Sequence, residues 1–193
     1  MYLRISSLAL LGIIFWTTSS CKKSSSESSG PNTPSTEITT DLANRMWLSR
    51  SALDITTDFS YYTLTVYNPA TKVWFNNEKD PWDMRPRPAN GIQFSQDGKF
   101  EICKFADYGT GGLRSYSFFY MKGTAEQSGN TIKLHPVVHQ GNYYSTSDPS
   151  LNYDKPLAKD AVTFTYSITA LNDGWQELHI HWSDNTDSYF YNR

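Results

Sequence analysis

The sequence predicts an all-β domain in which an antiparallel meander closes into a barrel of eight to ten strands. Aromatic residues make up 15% of the chain, and aromatic and β-branched residues favour strands. These residues recur with period two in short runs, which is typical of strands with one buried face. Turn-forming segments separate the runs, as in up-and-down barrels. A flattened β-sandwich is the alternative architecture.

The predicted strands follow one another closely along the chain. The first begins at Trp47, after a short helical turn expected over residues 41–46. The clearest covers residues 161–170, where Val162, Phe164 and Tyr166 alternate with small polar residues, and such a strand suits an antiparallel sheet with one wet face. The other predicted strands are residues 61–67, 72–75, 91–94, 99–105, 115–121, 131–134, 176–182 and 188–191.

Two kinds of connection join these strands. Asp97-Gly98 and Asp173-Gly174 predict tight turns between neighbouring strands. Residues 68–90 and residues 136–160 are longer and are predicted to be loops. Long loops in a compact domain often carry function, so ligand contacts are expected there.

The first 21 residues form an export signal. A basic start, an apolar run over residues 5–16 and small residues before Cys21 have the order of such a signal, and the run is too short to span a membrane. Because it ends on a cysteine, the segment resembles a bacterial lipoprotein signal. The resemblance implies cleavage of residues 1–20, a lipid on Cys21, and an outer-membrane lipoprotein of a diderm bacterium, facing the periplasm or the exterior. The alternative is a secreted protein with Cys21 as a free thiol.

The segment after the signal differs in composition from the rest of the chain. Residues 21–40 contain many serines, threonines and prolines and almost no apolar residues. Such a segment cannot bury enough surface to fold, so it predicts a flexible tether. The barrel domain is therefore expected to cover residues 41–193.

The charge and the cysteine content of the chain bear on nucleic-acid binding and on disulfide formation. The formal net charge is −2, and Lys22-Lys23 is the only basic block, so nucleic acid is not an expected partner, since phosphate binding needs clustered Lys and Arg. The chain has two cysteines, so a lipid on Cys21 would leave Cys103 without a disulfide partner. Cys103 lies in an apolar strand and is expected to be a packing residue.

Several segments resemble the lipocalin-like (calycin) domains of bacterial lipoproteins. They are Trp47 in the first strand, residues 92–100, residues 122–124 with 128–132, and residues 189–193. The resemblance implies a barrel that holds a small, lipid-like molecule. It also implies structural roles for Trp47 and for Arg193, which would cover the Trp47 ring.

No constellation of side chains predicts catalysis, a metal site or a cofactor. His179 and His181 alternate with the apolar residues Leu178, Ile180 and Trp182, so they are expected to face water rather than a shared metal. The chain has no Gly-x-Ser-x-Gly elbow. Its paired aspartates lie in turn-like segments. The protein is therefore not expected to be an enzyme.

The candidate ligand-binding residues are aromatic and arginine side chains in the predicted loops. Aromatic faces can stack on sugars or line an apolar mouth, and arginine can pair with a carboxylate. The alternative is that the two tryptophans cover the end of the core. The candidates are Trp74, Trp82, Arg85, Arg87, Tyr143, Tyr144 and Tyr153.

These observations predict a membrane-anchored, extracytoplasmic binding protein for a small, partly apolar ligand. The expected partners are a lipid-like or glycan small molecule, and the membrane through the N-terminal lipid. One alternative is a glycan-binding surface module that uses the loop Trp and Tyr residues. Another is a non-catalytic scaffold or inhibitor with a filled core. It is favoured by the bulky residues expected to face the barrel interior, which are Phe94, Phe100, Tyr116, Phe118, Phe164 and Tyr166.

Overall fold

A computed structural model of the chain describes residues 35–74, 86–107 and 115–193. The predicted signal peptide, Cys21, Trp82 and Arg85 lie outside the described residues. Within the described ranges, no helix has the length and apolar character needed to cross a membrane.

Short strands come first and long strands later in the chain. The strands are β1 (Arg45–Leu48), β2 (Tyr62–Thr63), β3 (Tyr67–Asn68), β4 (Val73–Trp74), β5 (Arg87–Pro88), β6 (Gly91–Phe94), β7 (Lys99–Asp107), β8 (Ser115–Ser128), β9 (Thr131–Ser145), β10 (Tyr153–Pro156), β11 (Val162–Ala170), β12 (Gln176–Trp182) and β13 (Asp187–Asn192). The helices in the described ranges are α1 (Arg50–Leu53) and single 3-10 turns at Phe59–Tyr61, Pro149–Leu151 and Asn172–Gly174.

Eight antiparallel strands close into a barrel. Their order is β9-β11-β12-β13-β1-β6-β7-β8, and β8 pairs with β9 along its whole length to complete the circle. β10 is a ninth strand on the same edge of β9 as β11: β11 pairs with residues near the start of β9, and β10 pairs with residues near its end. The all-β barrel prediction is confirmed, and the sandwich alternative is excluded.

Large side chains fill most of the barrel interior. Trp47, Phe94, Phe100 and Phe164 are each at most 2% exposed. They alternate along their strands with residues on the outer face, as the period of two requires. The barrel core is made of these four residues with Ile38, Leu42, Ala43, Ile92, Ile102, Met121, Ala125, Ile132, Leu134, Leu178, Ile180 and Phe190.

A second apolar cluster lies on the outer face of β6, β7 and β8. The outer cluster consists of Leu48, Ala52, Leu53, Tyr62, Leu64, Val66, Tyr67, Trp74, Ala89, Cys103, Phe105, Phe118 and Tyr120. The prediction that residues 61–67 form a barrel strand is wrong. They form the two-residue strands β2 and β3, which pair with β5 and β4 outside the barrel. Their alternation is real, because Tyr62, Leu64 and Val66 are buried, but they are buried against the outside of the sheet.

The prediction of a loop over residues 136–160 is also wrong. β9 continues to Ser145 and β10 pairs with it. Pro136 lies opposite Gly123 next to a shift in register, and such a bulge lets a proline sit inside a long strand. A Cβ at Gly141 would lie 3.2 Å from the Leu157 side chain. A bulge at Pro136 and a glycine at position 141 therefore let the strand continue through this polar segment.

The ordered domain begins before residue 41. Ser35 exchanges two backbone hydrogen bonds with Gln127, at 2.9 and 2.7 Å, and the Ile38 N–H donates to Gln96. Ile38 is 1% exposed and belongs to the barrel core. The last six residues of the predicted tether, 35–40, therefore pack on the barrel. The predicted helical turn is a tight turn over residues 40–44, and the helix α1 comes after β1 instead.

Candidate functional site

The barrel interior opens into a cavity of about 270 Å³. Its walls are interior-facing side chains of β7, β8, β9, β11 and β12, and its rim is the turn between β12 and β13. We call it the mouth cavity; it is lined by Ile102, Lys104, Phe119, Met121, His139, Val162, Trp182, Ser183, Asp184 and Thr186.

Alternation along β7 explains why one cation lies at this cavity. Phe100 and Ile102 face the barrel core, and Lys104 follows on the same face of the strand. The Lys104 Nζ lies 5.6 Å from the centre of the Phe119 ring and 5.9 Å from that of the Trp182 ring. A lysine can lay its aliphatic stem along apolar groups while its ammonium stays near water. The mouth cavity therefore has an apolar wall and a positive charge at its rim.

The opposite charge at the rim belongs to Asp184. The pKa of its carboxyl is lowered, chiefly by hydrogen bonds from the Thr186 hydroxyl and backbone N–H at 2.6 and 3.0 Å, and also by the charge of Lys104. These bonds tie Asp184 to its own turn. The rim of the mouth cavity therefore carries one positive and one negative charge, so an anionic ligand group would have to bond the Lys104 ammonium directly.

His139 also lines the mouth cavity. Its ring packs edge-on against Phe119, with centres 4.8 Å apart. Its Nδ1 bonds the Ala158 carbonyl oxygen, so Nδ1 carries the hydrogen, since a carbonyl can only accept. In the neutral ring Nε2 is then an acceptor. This atom is buried and bonds none of the residues that the structure describes.

Three of the predicted ligand-binding residues share a second hollow, of about 430 Å³, on the barrel surface. It is lined by Tyr116, Asn142, Tyr143, Tyr144, Asn152, Tyr153 and Asp154. We call its four aromatic residues, Tyr116, Tyr143, Tyr144 and Tyr153, the tyrosine ledge. Tyr144 and Tyr153 are 40% and 42% exposed, so aromatic surface is open to solvent here.

Trp74 and Arg87 lie in the outer layer and not at either hollow. Trp74 was predicted to be an exposed loop residue but is 1% exposed. Its ring packs 4.9 Å from Tyr67 and 5.5 Å from Phe118, so it covers the outer cluster. Arg87 is 6% exposed, and β5 places it in register with Tyr62. The structure does not describe the other two candidates, Trp82 and Arg85.

Trp47 is a core residue, but Arg193 does not cover it. The Trp47 indole N–H donates to the Leu42 carbonyl at 3.0 Å, and the residue is fully buried. The Arg193 guanidinium lies 5.9 Å from the Trp175 ring centre instead. The resemblance that suggested the Arg193–Trp47 pair therefore predicts the tryptophan correctly and the arginine wrongly.

The two outward-facing histidines, His179 and His181, form hydrogen bonds with one aspartate carboxylate. His179 Nε2 and His181 Nδ1 lie 2.8 and 3.0 Å from the same Asp187 oxygen. Their neighbours Leu178 and Ile180 are fully buried, so the predicted orientation of the strand is confirmed. Among the described residues, no group of three His, Cys, Asp or Glu side chains has an arrangement that could hold a metal ion.

Cys103 is buried in the outer cluster, as expected of a packing residue. It is 0% exposed, and burial raises the pKa of its thiol far above the ordinary value, with a smaller contribution from the Glu101 charge. Thiolate is the reactive form of cysteine. The folded protein therefore holds Cys103 in its unreactive form.

The mouth cavity was not predicted from the sequence. Alternation along β12 indicates that Trp182 faces inward, but nothing in the sequence marks Lys104, Phe119 or His139 as its neighbours. The available signal was Lys104 itself, which follows Phe100 and Ile102 on the interior-facing side of β7 and breaks the apolar pattern of that face. No protein-family model, curated protein or solved structure matches this chain.

Proposed function

We propose that the protein is a membrane-anchored, extracytoplasmic binding protein for a small ligand with an apolar body and an anionic end. The observation that supports this most directly is the mouth cavity. Its apolar wall consists of Ile102, Phe119, Met121, Val162 and Trp182, and Lys104 lies at its rim. Ligand sites typically combine an apolar lining with a few placed polar groups.

The filled barrel core limits the size of the ligand. The mouth cavity has about 270 Å³, which is just below the roughly 300–1,000 Å³ of usual ligand sites. Beyond it, Phe164 packs edge-on against Trp182 at 5.0 Å and belongs to the barrel core. The ligand would therefore enter as a short apolar chain or a single ring.

The test is a calorimetric titration of the purified mature chain with octanoate, which has an eight-carbon apolar body and a carboxylate. We expect binding, and we expect Trp182→Ala to weaken it about tenfold, because burial of one aromatic side chain contributes at least about 1.5 kcal/mol. Trp175→Ala is the matched control, since this half-buried tryptophan packs near Phe59, away from the mouth cavity. Equal losses in the two variants, or no binding to the wild type, would contradict the proposal.

The anchor rests on the N-terminal sequence alone and has its own test. Cys21→Ser removes the side chain that would carry the lipid. We expect this variant in the soluble fraction after cell lysis and the wild type in the membrane fraction. A Cys21→Ser protein that remains wholly in the membrane fraction would contradict lipid anchoring at this residue.

The filled core also favours the second candidate, a non-catalytic scaffold or inhibitor that acts through its surface. The deep interior of the barrel is filled by Trp47, Phe94, Phe100 and Phe164. This candidate predicts no octanoate binding, so the same titration separates the two functions.

A further inference from the structure

The tyrosine ledge has the shape and chemistry of a second binding site. Its rings form two stacked pairs: Tyr116 with Tyr144 at 5.0 Å between centres, and Tyr143 with Tyr153 at 6.1 Å, each with 22° between the planes. Both pairs join residues that face each other across neighbouring strands. Tyr143 and Tyr144 are consecutive on β9, so the two pairs lie on opposite faces of the sheet, and the Tyr116–Tyr144 pair shares its face with Asn142 and Asp154. The sheet therefore fixes where the rings lie.

The ledge is anchored to a buried residue. Tyr116 packs edge-on against Phe118 at 5.6 Å, and Phe118 is 5% exposed within the outer cluster. Tyr144 stacks on Tyr116 and is 40% exposed. An aromatic surface held in place before binding loses little conformational freedom when a ligand arrives. Exposed tyrosines on such a support are therefore suited to contact a ligand.

Hydrogen-bonding groups lie beside the rings in the same hollow. Asn142 and Asp154 face each other across β9 and β10. The Asn152 side-chain oxygen accepts the Ser145 N–H at 2.6 Å, so its NH₂ group is left as the donor. The Asp154 carboxylate accepts from Gln140 Nε2 at 3.1 Å and can accept further hydrogen bonds. The hollow thus offers both donors and acceptors next to flat apolar faces.

This combination fits a sugar better than a lipid or an ionic ligand. A pyranose ring has an apolar C–H face that stacks on aromatic rings, and hydroxyls that both donate and accept. A lipid chain needs a continuous apolar wall, which Asn142, Asn152 and Asp154 interrupt. An anionic ligand would be repelled by Asp154, which is the one charged residue among those that line the hollow.

We propose that the tyrosine ledge binds a neutral oligosaccharide, at a site separate from the mouth cavity. The two sites share no lining residue. Tyr144, stacked on Tyr116, supplies the aromatic surface, and Asn142 and Asp154 on the same face, with Asn152 in the same hollow, supply hydrogen bonds to hydroxyls. A tethered protein with this site would bind glycans at the cell envelope independently of any ligand in its barrel.

The test is a calorimetric titration of the mature chain with four neutral hexasaccharides: maltohexaose, cellohexaose, xylohexaose and mannohexaose. We expect at least one to bind and Tyr144→Ala to weaken that binding about tenfold, while Tyr144→Phe, which keeps the ring, retains it. Tyr189→Ala is the matched control, because Tyr189 is 48% exposed and stacks on His179 of another strand pair. Melting temperatures establish that each variant is folded.

Three results would overturn the proposal. They are the absence of binding to all four hexasaccharides, equal weakening by Tyr144→Ala and Tyr189→Ala, or unchanged binding in a folded Tyr144→Ala protein. Octanoate binding is measured on the same samples. We expect Tyr144→Ala to leave it unchanged, so a failure of the glycan site can be told apart from a failure of the mouth cavity.

Discussion

The Lys104 ammonium lies 5.9 Å from the centre of the Trp182 ring, at the rim of the mouth cavity. A cation over an aromatic face is attracted to it by about 0.5–1 kcal/mol at exposed sites, which holds the charge where a ligand enters. The same ring forms part of the apolar wall. The Lys104–Trp182 pair therefore places the positive charge of the proposed site next to its apolar wall.

Lys104→Met should change which ligands bind. This substitution keeps the aliphatic stem and removes the charge. A hydrogen bond to a charged group contributes about 1.5–3 kcal/mol, and the lower value applies at the solvent-accessible rim. Octanoate affinity should therefore fall about tenfold. Binding of neutral 1-octanol should stay the same. Calorimetry with both compounds provides the measurement, and an equal loss for both would refute a role of the charge.

Ile38→Ala should destabilise the barrel although Ile38 lies in the predicted tether. The side chain is 1% exposed in the barrel core, and removing such a buried aliphatic group costs about 2–5 kcal/mol. Ile55→Ala is the matched control, because Ile55 is 50% exposed and should change stability by less than about 0.5 kcal/mol. Urea unfolding gives both free energies. If Ile38→Ala lowered the free energy of unfolding as little as Ile55→Ala, residues 35–40 would not pack on the barrel in solution.

Cys103 should be inert in the folded protein. In a Cys21→Ser background it is the only thiol, since the chain has two cysteines. Burial raises the pKa of this thiol, so 5,5′-dithiobis(2-nitrobenzoate) at pH 8 should not react until guanidinium unfolds the chain. Release of one equivalent of thiolate product within seconds from folded protein would contradict the buried position of Cys103.

Asp187 should contribute to stability in a pH-dependent way. Hydrogen bonds from His179 and then His181 lower the pKa of this carboxyl in the folded state. A group with a lowered folded-state pKa stabilises the protein above its unfolded pKa of about 3.9, and the effect disappears as the pH falls through the folded value. The stability difference between wild type and Asp187→Asn should therefore shrink below about pH 4.

Urea unfolding at pH 5, 4 and 3 measures this difference. Asp160→Asn removes the same charge from an exposed residue and serves as the control. A difference between wild type and Asp187→Asn that stays constant down to pH 3 would show that the histidine bonds do not stabilise the ionised carboxylate.

The period-two alternation located the barrel strands from β6 onward, because burial on one face of a sheet is a local property, but it predicted only the first four of the fifteen residues of β9. Phe94, Phe100, Phe164 and Leu178 all lie in the barrel core, as their spacing indicates. The same rule failed for residues 61–67, since alternation shows that one face is buried but not what covers it. Leu64 and Val66 are buried against the outside of the barrel.

The candidate site was predicted only in part because it depends on which strands are neighbours. Tyr143, Tyr144 and Tyr153 were identified by composition. Tyr143 meets Tyr153 because β10 folds back onto β9, and Tyr144 meets Tyr116 of β8. The mouth cavity joins residues of five strands that are far apart in the sequence, from Lys104 to Trp182. Spacing along the chain cannot predict such a group, because closure of the barrel brings it together.

Native mass spectrometry shows whether the mouth cavity holds a small ligand. Wild type and Val162→Trp, in which the larger ring fills the mouth cavity, are purified from their membranes in detergent and compared after melting temperatures establish folding. We expect a discrete bound mass on the wild type that is lost from Val162→Trp. A bare wild-type protein, or the same bound mass on both proteins, would contradict this expectation.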